Sequence, residues 1–453
     1  MAVRNILRSR RIRTPILWLL ALAVALLFGR AVVRGLTGAR DGALVHTATR
    51  MWVAGEDPYD PDAYLPRFRA ASGDTAATAG SAPVLYPPSA FLLMAPWGAM
   101  TWNVAKYVLF LTNLVAVAAL ILLLPRLDPR GPPLSAGLVA LLVLGWSPLH
   151  TSLAMGQVSL LIGALVTAAA LALARRRFGW AALGIAVAAA IKPQLGVLFL
   201  IPLLAHGGIR PFLACCGLGL ALLGAGGLRL TLLGIDWPLE WTEAIGAFRV
   251  SGEGNTALGS PHRSLLVGLE LVVMAVASSK AVAGLAGWAV TLAVLGGAWV
   301  RGRVAGRSGI VDPVWLTAVV CAATLLPGYH RFYDAVLLLI PAYWIALHWR
   351  DFGGPGRWLA AGGCAVFFVL PNSQAVLRAL EGVLPGLLQS TVWAASLQIH
   401  QTWALAAVLV GLLILGPRAR PLRRASGRWR FPVPSRDAYV FRLLPEHSRN
   451  ELR

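Results

Sequence analysis

The chain has 453 residues, of which 57% are hydrophobic and only 13% are charged, and its mean hydropathy is +0.69. Soluble globular proteins carry roughly 45–50% apolar and about 25% charged residues. The composition therefore excludes soluble enzymes, disordered proteins and small disulfide-stapled secreted domains. The formal net charge of +21 does not indicate a nucleic-acid partner, because the basic residues stand in short clusters between apolar runs, as in the cytoplasmic loops of membrane proteins.

The apolar runs predict an all-α, polytopic integral membrane protein with about 12 transmembrane helices, within a range of roughly 10 to 13. When the arginine clusters are placed in the cytoplasm, both termini lie inside. There are two further apolar stretches, 87–100 and 265–278. If only one of them crossed the bilayer, every later loop would lie on the opposite side of the membrane, so both are interpreted as helices at the outer interface. The predicted spans are 14–34, 102–125, 133–150, 156–174, 178–192, 194–206, 211–232, 281–300, 313–328, 333–349, 357–371 and 399–416.

These spans form one predicted transmembrane domain, residues 1–416, with long outer loops at 35–86 and 233–264. The basic remainder, residues 417–453, is predicted to be a disordered tail on the anionic inner leaflet. Most acidic residues fall on the outer side, and none lies near the middle of a predicted span. Since proton relays and ion paths need ionisable groups within the bilayer, we expect the polar chemistry at the outer face.

The first outer loop begins with a predicted helix from Asp41 to Ala54, which Gly55 ends. Apolar residues recur on it at helical spacing, so this helix is expected to lie on the membrane surface. Asp41 has two interpretations. It is either an N-cap that stabilises the start of the helix or a general base held at the membrane surface for a lipid-linked substrate.

Short motifs place further polar residues near the outer face. Lys192 ends an otherwise uncharged span and precedes a proline, which suits a phosphate contact better than a snorkelling side chain. Gln157 follows in the motif MGQ at the outer end of another span, and Tyr86 begins YPP, a motif that favours extended backbone. The acidic cluster EDPYDPD at 56–62 is interpreted as a turn rather than a metal site.

The segment PGYHRFYD at 327–334 bunches polar groups at the outer start of a later span, more than membrane anchoring requires. In the second outer loop, a histidine and an arginine either contact an anionic group or remain solvated. The residues concerned are His330, Arg331, Tyr333 and Asp334 in the first segment and His262 and Arg263 in the second.

Together these motifs resemble glycosyltransferase family 87, a polyprenyl-phosphate-mannose-dependent family with the GT-C fold. The resemblance covers roughly residues 14–350 and depends on the order of its motifs. The motifs are an aspartate soon after the first span, G-x-x-P-Y at 55–59, YPP, GQ, KP after a span, a tryptophan and an asparagine in the second outer loop, and H-x-x-Y before a leucine-rich span. The chain departs from the family pattern in two places. Gly42 and Ala43 follow the aspartate, where members of the family often have aromatic residues, and Thr256 follows the asparagine, where the family has a serine.

The resemblance implies an inverting, metal-independent and cofactor-free transfer on the extracytoplasmic face of the plasma membrane. It implies a polyprenyl-phosphate sugar donor, a hexose such as mannose, and a glycolipid or cell-envelope glycan acceptor. Asp41 resembles the catalytic base, and Lys192 and His330 resemble positions near the donor phosphate. The remaining candidates for substrate binding are Tyr86, Gln157, Arg263, His262 and Tyr333.

Two alternatives remain open at this point. A transporter or flippase of lipid-linked sugars would place charged groups at mid-bilayer depth. A lipid-linked oligosaccharide polymerase or ligase would more readily use an arginine-rich outer loop, whereas the predicted outer face is acidic.

Overall fold

The structure is a computed structural model of the full chain, and its architecture is almost entirely helical. One predicted segment, the basic tail at 417–453, lies outside the described residues. The structure describes residues 10–127, 134–258, 260, 262–277, 279–305, 311–349, 354–368, 386 and 390–416.

The first half of the chain is a succession of helices. Short 3₁₀ turns at Leu124–Arg126 and Val197–Phe199 extend two of these helices. The helices are α1 (Arg10–Thr37), α2 (Arg40–Ala54), α3 (Pro61–Ser72), α4 (Pro88–Gly98), α5 (Trp102–Leu123), α6 (Ala136–Leu144), α7 (Ser147–Met155), α8 (Ser159–Ala174), α9 (Phe178–Ile191), α10 (Pro193–Gly196), α11 (Leu200–Gly207) and α12 (Ile209–Leu232).

The second half adds a two-residue antiparallel ladder, in which Leu266 pairs with Arg331 and Val267 with His330. A 3₁₀ turn at Arg263–Leu265 precedes the ladder, a long 3₁₀ segment at Phe332–Leu338 follows it, and another 3₁₀ turn spans Leu397–Ile399. The elements are α13 (Trp237–Ser251), β1 (Leu266–Val267), α14 (Glu270–Val273), α15 (Lys280–Ala305), α16 (Pro313–Ala323), β2 (His330–Arg331), α17 (Leu339–His348), α18 (Pro355–Val366), α19 (Thr391–Ala395) and α20 (His400–Leu415).

Membrane-type helices are present where the hydropathy pattern predicts them. Within the described residues, five helical stretches are long and apolar enough to cross a bilayer: Thr14–Ala54, Trp102–Arg126, Ile209–Leu232, Lys280–Val304 and Thr391–Leu415. Shorter apolar helices occupy most of the other predicted spans, but several of these are broken. The predicted span 133–150 is split between α6 and α7, and 194–206 is three short pieces. The predicted count of about 12 spanning helices is therefore not confirmed.

The predicted interfacial helices differ from the structure. Ten of the fifteen residues of α2 are buried, including Met51 and Trp52, and α2 packs against α4 inside the protein. The apolar face of α2 therefore contacts protein rather than lipid. Stretch 87–100 does contain a helix, α4, but stretch 265–278 folds as a turn, a short strand and the single helical turn of α14.

The junction between α1 and α2 places the start of α2 deep in the structure. Ala39 joins the two helices with a φ of 57°, a left-handed conformation that few non-glycine residues adopt. Helix α2 then begins at Arg40, so Asp41 lies in its first turn and Ala39 holds the N-cap position. The interpretation of Asp41 as the N-cap is therefore wrong. As predicted, Gly55 ends the helix, with a φ of 77° and its N–H bonded to carbonyls of the last turn.

Sidedness is tested by cysteine labelling in a background without the four native cysteines. Ala76, in the loop after α3, and Arg175, at the end of α8, are both exposed. Because the arginine clusters mark the cytoplasmic side, we expect a membrane-impermeant maleimide to label Ala76→Cys in intact cells. We expect Arg175→Cys to react only after permeabilisation. Labelling of Arg175→Cys from outside would contradict this arrangement and would indicate that stretch 87–100, which precedes it in the chain, crosses the bilayer.

Candidate active site

A small polar cavity lies where α2, the loop before α4, the ends of α7 and α9, and the segment around β2 meet. The open space inside it is about 60 Å³. Three cationic and three acidic side chains line it, together with tyrosines and glutamines. The polar lining residues used below are Arg40, Asp41, Tyr86, Gln157, Lys192, Glu253, Arg331, Tyr333 and Asp334.

The Asp41 carboxylate is held in place by an amide. Gln157 Nε2 donates a hydrogen bond to Asp41 Oδ2 at 2.6 Å and a second one to Tyr333 Oη at 2.9 Å. Tyr86 Oη donates to Gln157 Oε1 at 3.3 Å. Asp41 Oδ1 has a more distant neighbour, Arg40 Nη1, at 3.8 Å. The two carboxylate oxygens therefore differ, because the Gln157 amide holds Oδ2 whereas Oδ1 lies near the Arg40 guanidinium.

The backbone before Gln157 explains how the amide reaches Asp41. Gly156 ends α7 with a φ of 66°, a conformation that glycine adopts readily. A Cβ atom at Gly156 would lie 2.9 Å from the Ala39 Cβ, so only glycine permits this close approach of α7 to the α1–α2 junction. The motif MGQ therefore brings Gln157 beside the first turn of α2.

Lys192 lies at a helix break. Pro193 disfavours helical backbone at the residue before it, and Lys192 accordingly has a φ of −139° and a ψ of 87°, between α9 and α10. Its ammonium donates to Asp334 Oδ1 at 2.8 Å and to Ser159 Oγ at 3.0 Å. Both charged side chains of this ion pair are more than nine-tenths buried. Lys192 therefore reaches the cavity already neutralised by Asp334.

Asp334 also organises the segment that follows β2. Its Oδ1 accepts from Ser159 Oγ at 2.7 Å, and its Oδ2 accepts the backbone N–H of Arg331 at 3.3 Å. His330 lies behind it, with Nδ1 3.8 Å from Asp334 Oδ2 and Nε2 bonded to the carbonyl of Pro327 at 3.1 Å. His330 is therefore a neighbour of Asp334 and does not itself line the cavity.

Two arginines and a glutamate complete the charged lining. Arg331 Nη2 forms an ion pair with Glu253 Oε2 at 2.6 Å, and Arg40 Nη1 lies 3.7 Å from Glu253 Oε1. Arg40 Nε also donates to Asp74 Oδ2 at 2.8 Å in the first outer loop. Glu253 comes from the loop after α13, so it connects the two predicted outer loops to the segment at β2.

The surroundings keep these groups in defined protonation states. Burial raises the pKa of the Tyr86 hydroxyl well above its ordinary value near 10, and the charge of Asp41 raises it further. Tyr86 therefore remains a hydrogen-bond donor at neutral pH. Burial lowers the pKa of Arg331, but the neighbouring Tyr333, Glu253 and Asp41 outweigh burial and leave it raised. The Arg331 guanidinium is therefore positively charged in the folded protein.

Besides His330, two sequence-predicted residues are not part of the cavity lining. Arg263 is fully buried, and its guanidinium binds backbone carbonyls, including those of Leu271 at 2.9 Å and Ala394 at 3.3 Å. Burial lowers its pKa to about 10. His262, half-buried just before it, is not part of the cavity lining. Arg263 therefore joins the second outer loop to α19, and its buried Nε has no hydrogen-bond partner among the described residues.

The acidic cluster at 56–62 is a turn, as predicted. Asp57 Oδ1 accepts the N–H of Tyr59 at 2.8 Å, and Asp60 Oδ1 accepts the N–H of Asp62 at 2.9 Å, which caps α3. Both carboxylates therefore stabilise local backbone.

Sequence reasoning did not select Arg40 or Glu253, and it named Arg331 and Asp334 without giving either a role in the site. Each had a signal. Arg40 directly precedes Asp41, Glu253 stands between two glycines, and Arg331 and Asp334 share one motif with Tyr333. The ion pairs and hydrogen bonds of the cavity join residues that are far apart in the chain, and no local sequence pattern reveals such contacts.

The chain is similar to known proteins in sequence and in structure. The model of glycosyltransferase family 87 matches residues 85–327, which is more than half of the chain. Among solved structures, a crystal structure of ArnT from Cupriavidus metallidurans in the apo state is similar, with 12% sequence identity and a TM-score of 0.36. That match covers 89% of this chain and 78% of the other. No curated protein matches the sequence.

The Lys192–Asp334 pair yields a stability prediction. Lys192→Met leaves the Asp334 carboxylate buried without its cation, so we expect a loss of about 3–5 kcal/mol in the free energy of unfolding. The double variant Lys192→Met/Asp334→Asn removes both charges and keeps the side-chain acceptor for Ser159, so it should regain most of that loss. Denaturant unfolding of the purified variants in detergent measures both. Equal destabilisation of the single and double variants would contradict the pairing.

Proposed function

Since the chain belongs to glycosyltransferase family 87, we propose that it moves a hexose, mannose by family resemblance, from a polyprenyl-phosphate sugar to an acceptor hydroxyl. The proposed acceptor is a glycolipid or a cell-envelope glycan on the outer face of the plasma membrane. The proposed architecture is GT-C-like and the reaction is an inverting transfer that needs no metal or cofactor.

One observation carries this proposal. A buried carboxylate, that of Asp41, is fixed by Gln157 and lies within a cavity that also contains Lys192, Arg40 and Arg331. A transfer from a lipid phosphate needs a base for the acceptor hydroxyl and cations for the leaving phosphate. The cavity brings both kinds of group together next to apolar helices, where a lipid-linked donor is soluble.

The proposed reaction proceeds in one displacement. The acceptor hydroxyl gives its proton to Asp41, and its oxygen forms a bond to the anomeric carbon of the donor sugar. The bond between that carbon and the phosphate oxygen breaks on the opposite face, so the configuration inverts. The electron pair of the broken bond remains on the polyprenyl phosphate, whose increased negative charge the nearby cations stabilise.

Gln157 is proposed as a positioning residue in this reaction. Its amide occupies Asp41 Oδ2 and links the carboxylate to Tyr333 and Tyr86. This leaves Asp41 Oδ1 as the oxygen that faces an incoming hydroxyl. Fixed geometry at a reacting group contributes strongly to rate, because small displacements weaken the alignment of the reacting atoms.

Asp41→Asn tests the proposed base. The amide keeps the shape of the side chain, so the melting temperature should change little, while transfer should fall by roughly two to four orders of magnitude. Transfer from a polyprenyl-phosphate sugar by purified protein in detergent gives the rate. The matched control is Asp236→Asn, an exposed acid just before α13. Turnover near the wild-type rate in Asp41→Asn would exclude Asp41 as the base.

Gln157→Met tests the positioning role. Methionine has nearly the same length but donates no hydrogen bond, so Asp41 Oδ2 loses its partner. We expect kcat to fall roughly 10- to 100-fold with little change in the donor KM. A rise in KM at unchanged kcat would instead indicate that Gln157 binds substrate without positioning Asp41.

A further inference from the structure

Glu253 occupies an unusual place, because its carboxylate lies between two arginines inside the cavity. Its Oε2 is 2.6 Å from Arg331 Nη2 and its Oε1 is 3.7 Å from Arg40 Nη1. An oxyanion with one oxygen toward each of two guanidinium groups has the arrangement in which arginines bind phosphate. Glu253 therefore fills a position that suits an anionic ligand.

Arg331 retains unused binding capacity at this position. Its Nη1 is buried and has no hydrogen-bond partner among the described residues. A buried N–H group without a partner is unfavourable and is rare in folded proteins. A tetrahedral phosphate offers more acceptor oxygens than the planar Glu253 carboxylate, so it can satisfy Nη1 in addition to Nη2.

The charge balance of the cavity points to an exchange rather than an addition. Arg40, Lys192 and Arg331 are matched in number by three acids that line the same space, and Arg40 is also paired with Asp74. An anionic phosphate added to this set would leave an uncompensated negative charge in a largely buried site, which is strongly unfavourable. If one carboxylate leaves when the phosphate binds, the balance is preserved.

Of the three acids, Glu253 is the one placed to leave. Asp334 is fixed by Lys192 and Ser159, and Asp41 is fixed by Gln157. Glu253 is on a loop, its side chain is 18% exposed, and both of its ion pairs are with other segments. Glycines flank it on both sides, and such residues absorb the backbone changes that a moving loop requires.

The size of the cavity requires such a movement. Its open space is about 60 Å³, whereas ligand sites enclose roughly 300–1,000 Å³. The loop is closed tightly over the cavity, since a Cβ at Gly252 would lie 2.1 Å from the Gly80 carbonyl oxygen. Withdrawal of Glu253 enlarges the space at the position of the two arginines.

We propose that the Glu253 carboxylate holds the place of the donor phosphate, which displaces it from between Arg40 and Arg331 on binding. This inference rests on the proposed function, because it takes the ligand to be a lipid phosphate. Without donor, the Glu253 carboxylate keeps the charges of the closed cavity balanced. When donor binds, the displacement of Glu253 opens the loop at residues 252–258. Arg40 and Arg331 then become phosphate-binding residues, beside a Lys192 already neutralised by Asp334.

The test is equilibrium binding of a polyprenyl phosphate without sugar to the purified full-length chain in detergent, with the matching uncharged polyprenol as reference. Glu253→Gln removes the competing charge and keeps the side-chain size, so the Kd for the phosphate should fall roughly ten-fold. The Kd for polyprenol should not change. Arg331→Gln should raise the Kd for the phosphate by roughly ten-fold or more, and it should reduce the gain from Glu253→Gln in the double variant.

The matched control is Glu243→Gln, an exposed glutamate on α13, which should leave both Kd values unchanged. If the wild-type chain binds the phosphate no better than polyprenol, the proposed donor class is wrong, and the exchange with it. If the wild-type chain prefers the phosphate but Glu253→Gln binds it equally or less tightly, the exchange is wrong and the donor class stands.

A second measurement on the wild-type chain does not depend on any variant. Binding of polyprenyl phosphate should increase backbone hydrogen exchange in residues 252–258, and polyprenol should not. Unchanged or decreased exchange there on phosphate binding would overturn the proposed displacement of Glu253.

Discussion

The buried ion pair between Lys192 and Asp334 joins the two breaks in regular helix on which the cavity depends. Lys192 follows α9 at the break that Pro193 imposes, and Asp334 lies in the 3₁₀ segment after β2. Neither charge is stable alone at this depth, so each requires the other segment to be in place. Ser159 binds both members, which adds the start of α8 to the same contact. The position of the polar cavity among apolar helices follows from this one electrostatic requirement.

The charged groups of the cavity differ in how far their side chains are buried. The side chains of the Lys192–Asp334 pair are more than nine-tenths buried, Asp41 is hydrogen-bonded on one oxygen, and Glu253, whose side chain is 18% exposed, bridges two arginines. Exposure therefore increases from the helix breaks toward the loop that carries Glu253. This order suits a transferase whose base must stay fixed while its ligand comes and goes, because preorganised groups stabilise a developing charge without having to move.

The sequence revealed the polar residues better than their partners. In a chain with 13% charged residues, Asp41 and Lys192 stand out against apolar surroundings, and both line the cavity. Their partners Gln157 and Asp334 are 116 and 142 residues away, which is beyond any local pattern. Helix positions were also largely predictable, because each apolar run has a helical length. The environment of a helix was not, since the apolar face of α2 has the same composition whether it contacts lipid or α4. The surroundings of Arg263 were not predictable either, because an arginine that binds carbonyls and one that binds a ligand are alike in sequence.

The 3₁₀ segment at Phe332–Leu338 has seven residues, although runs longer than three or four are uncommon. A 3₁₀-helix rises about 2.0 Å per residue and an α-helix about 1.5 Å, so rewinding these seven residues would shorten the segment by about 3.5 Å and rotate its side chains around the axis. Asp334 would then turn away from Lys192, and Val336 would leave its contact beside Gly163. The rise per residue of this buried segment thus sets the distance between the apolar core and the charged residues of the cavity. Substitutions that change the winding of this segment would therefore change that spacing even where they lie far from any substrate.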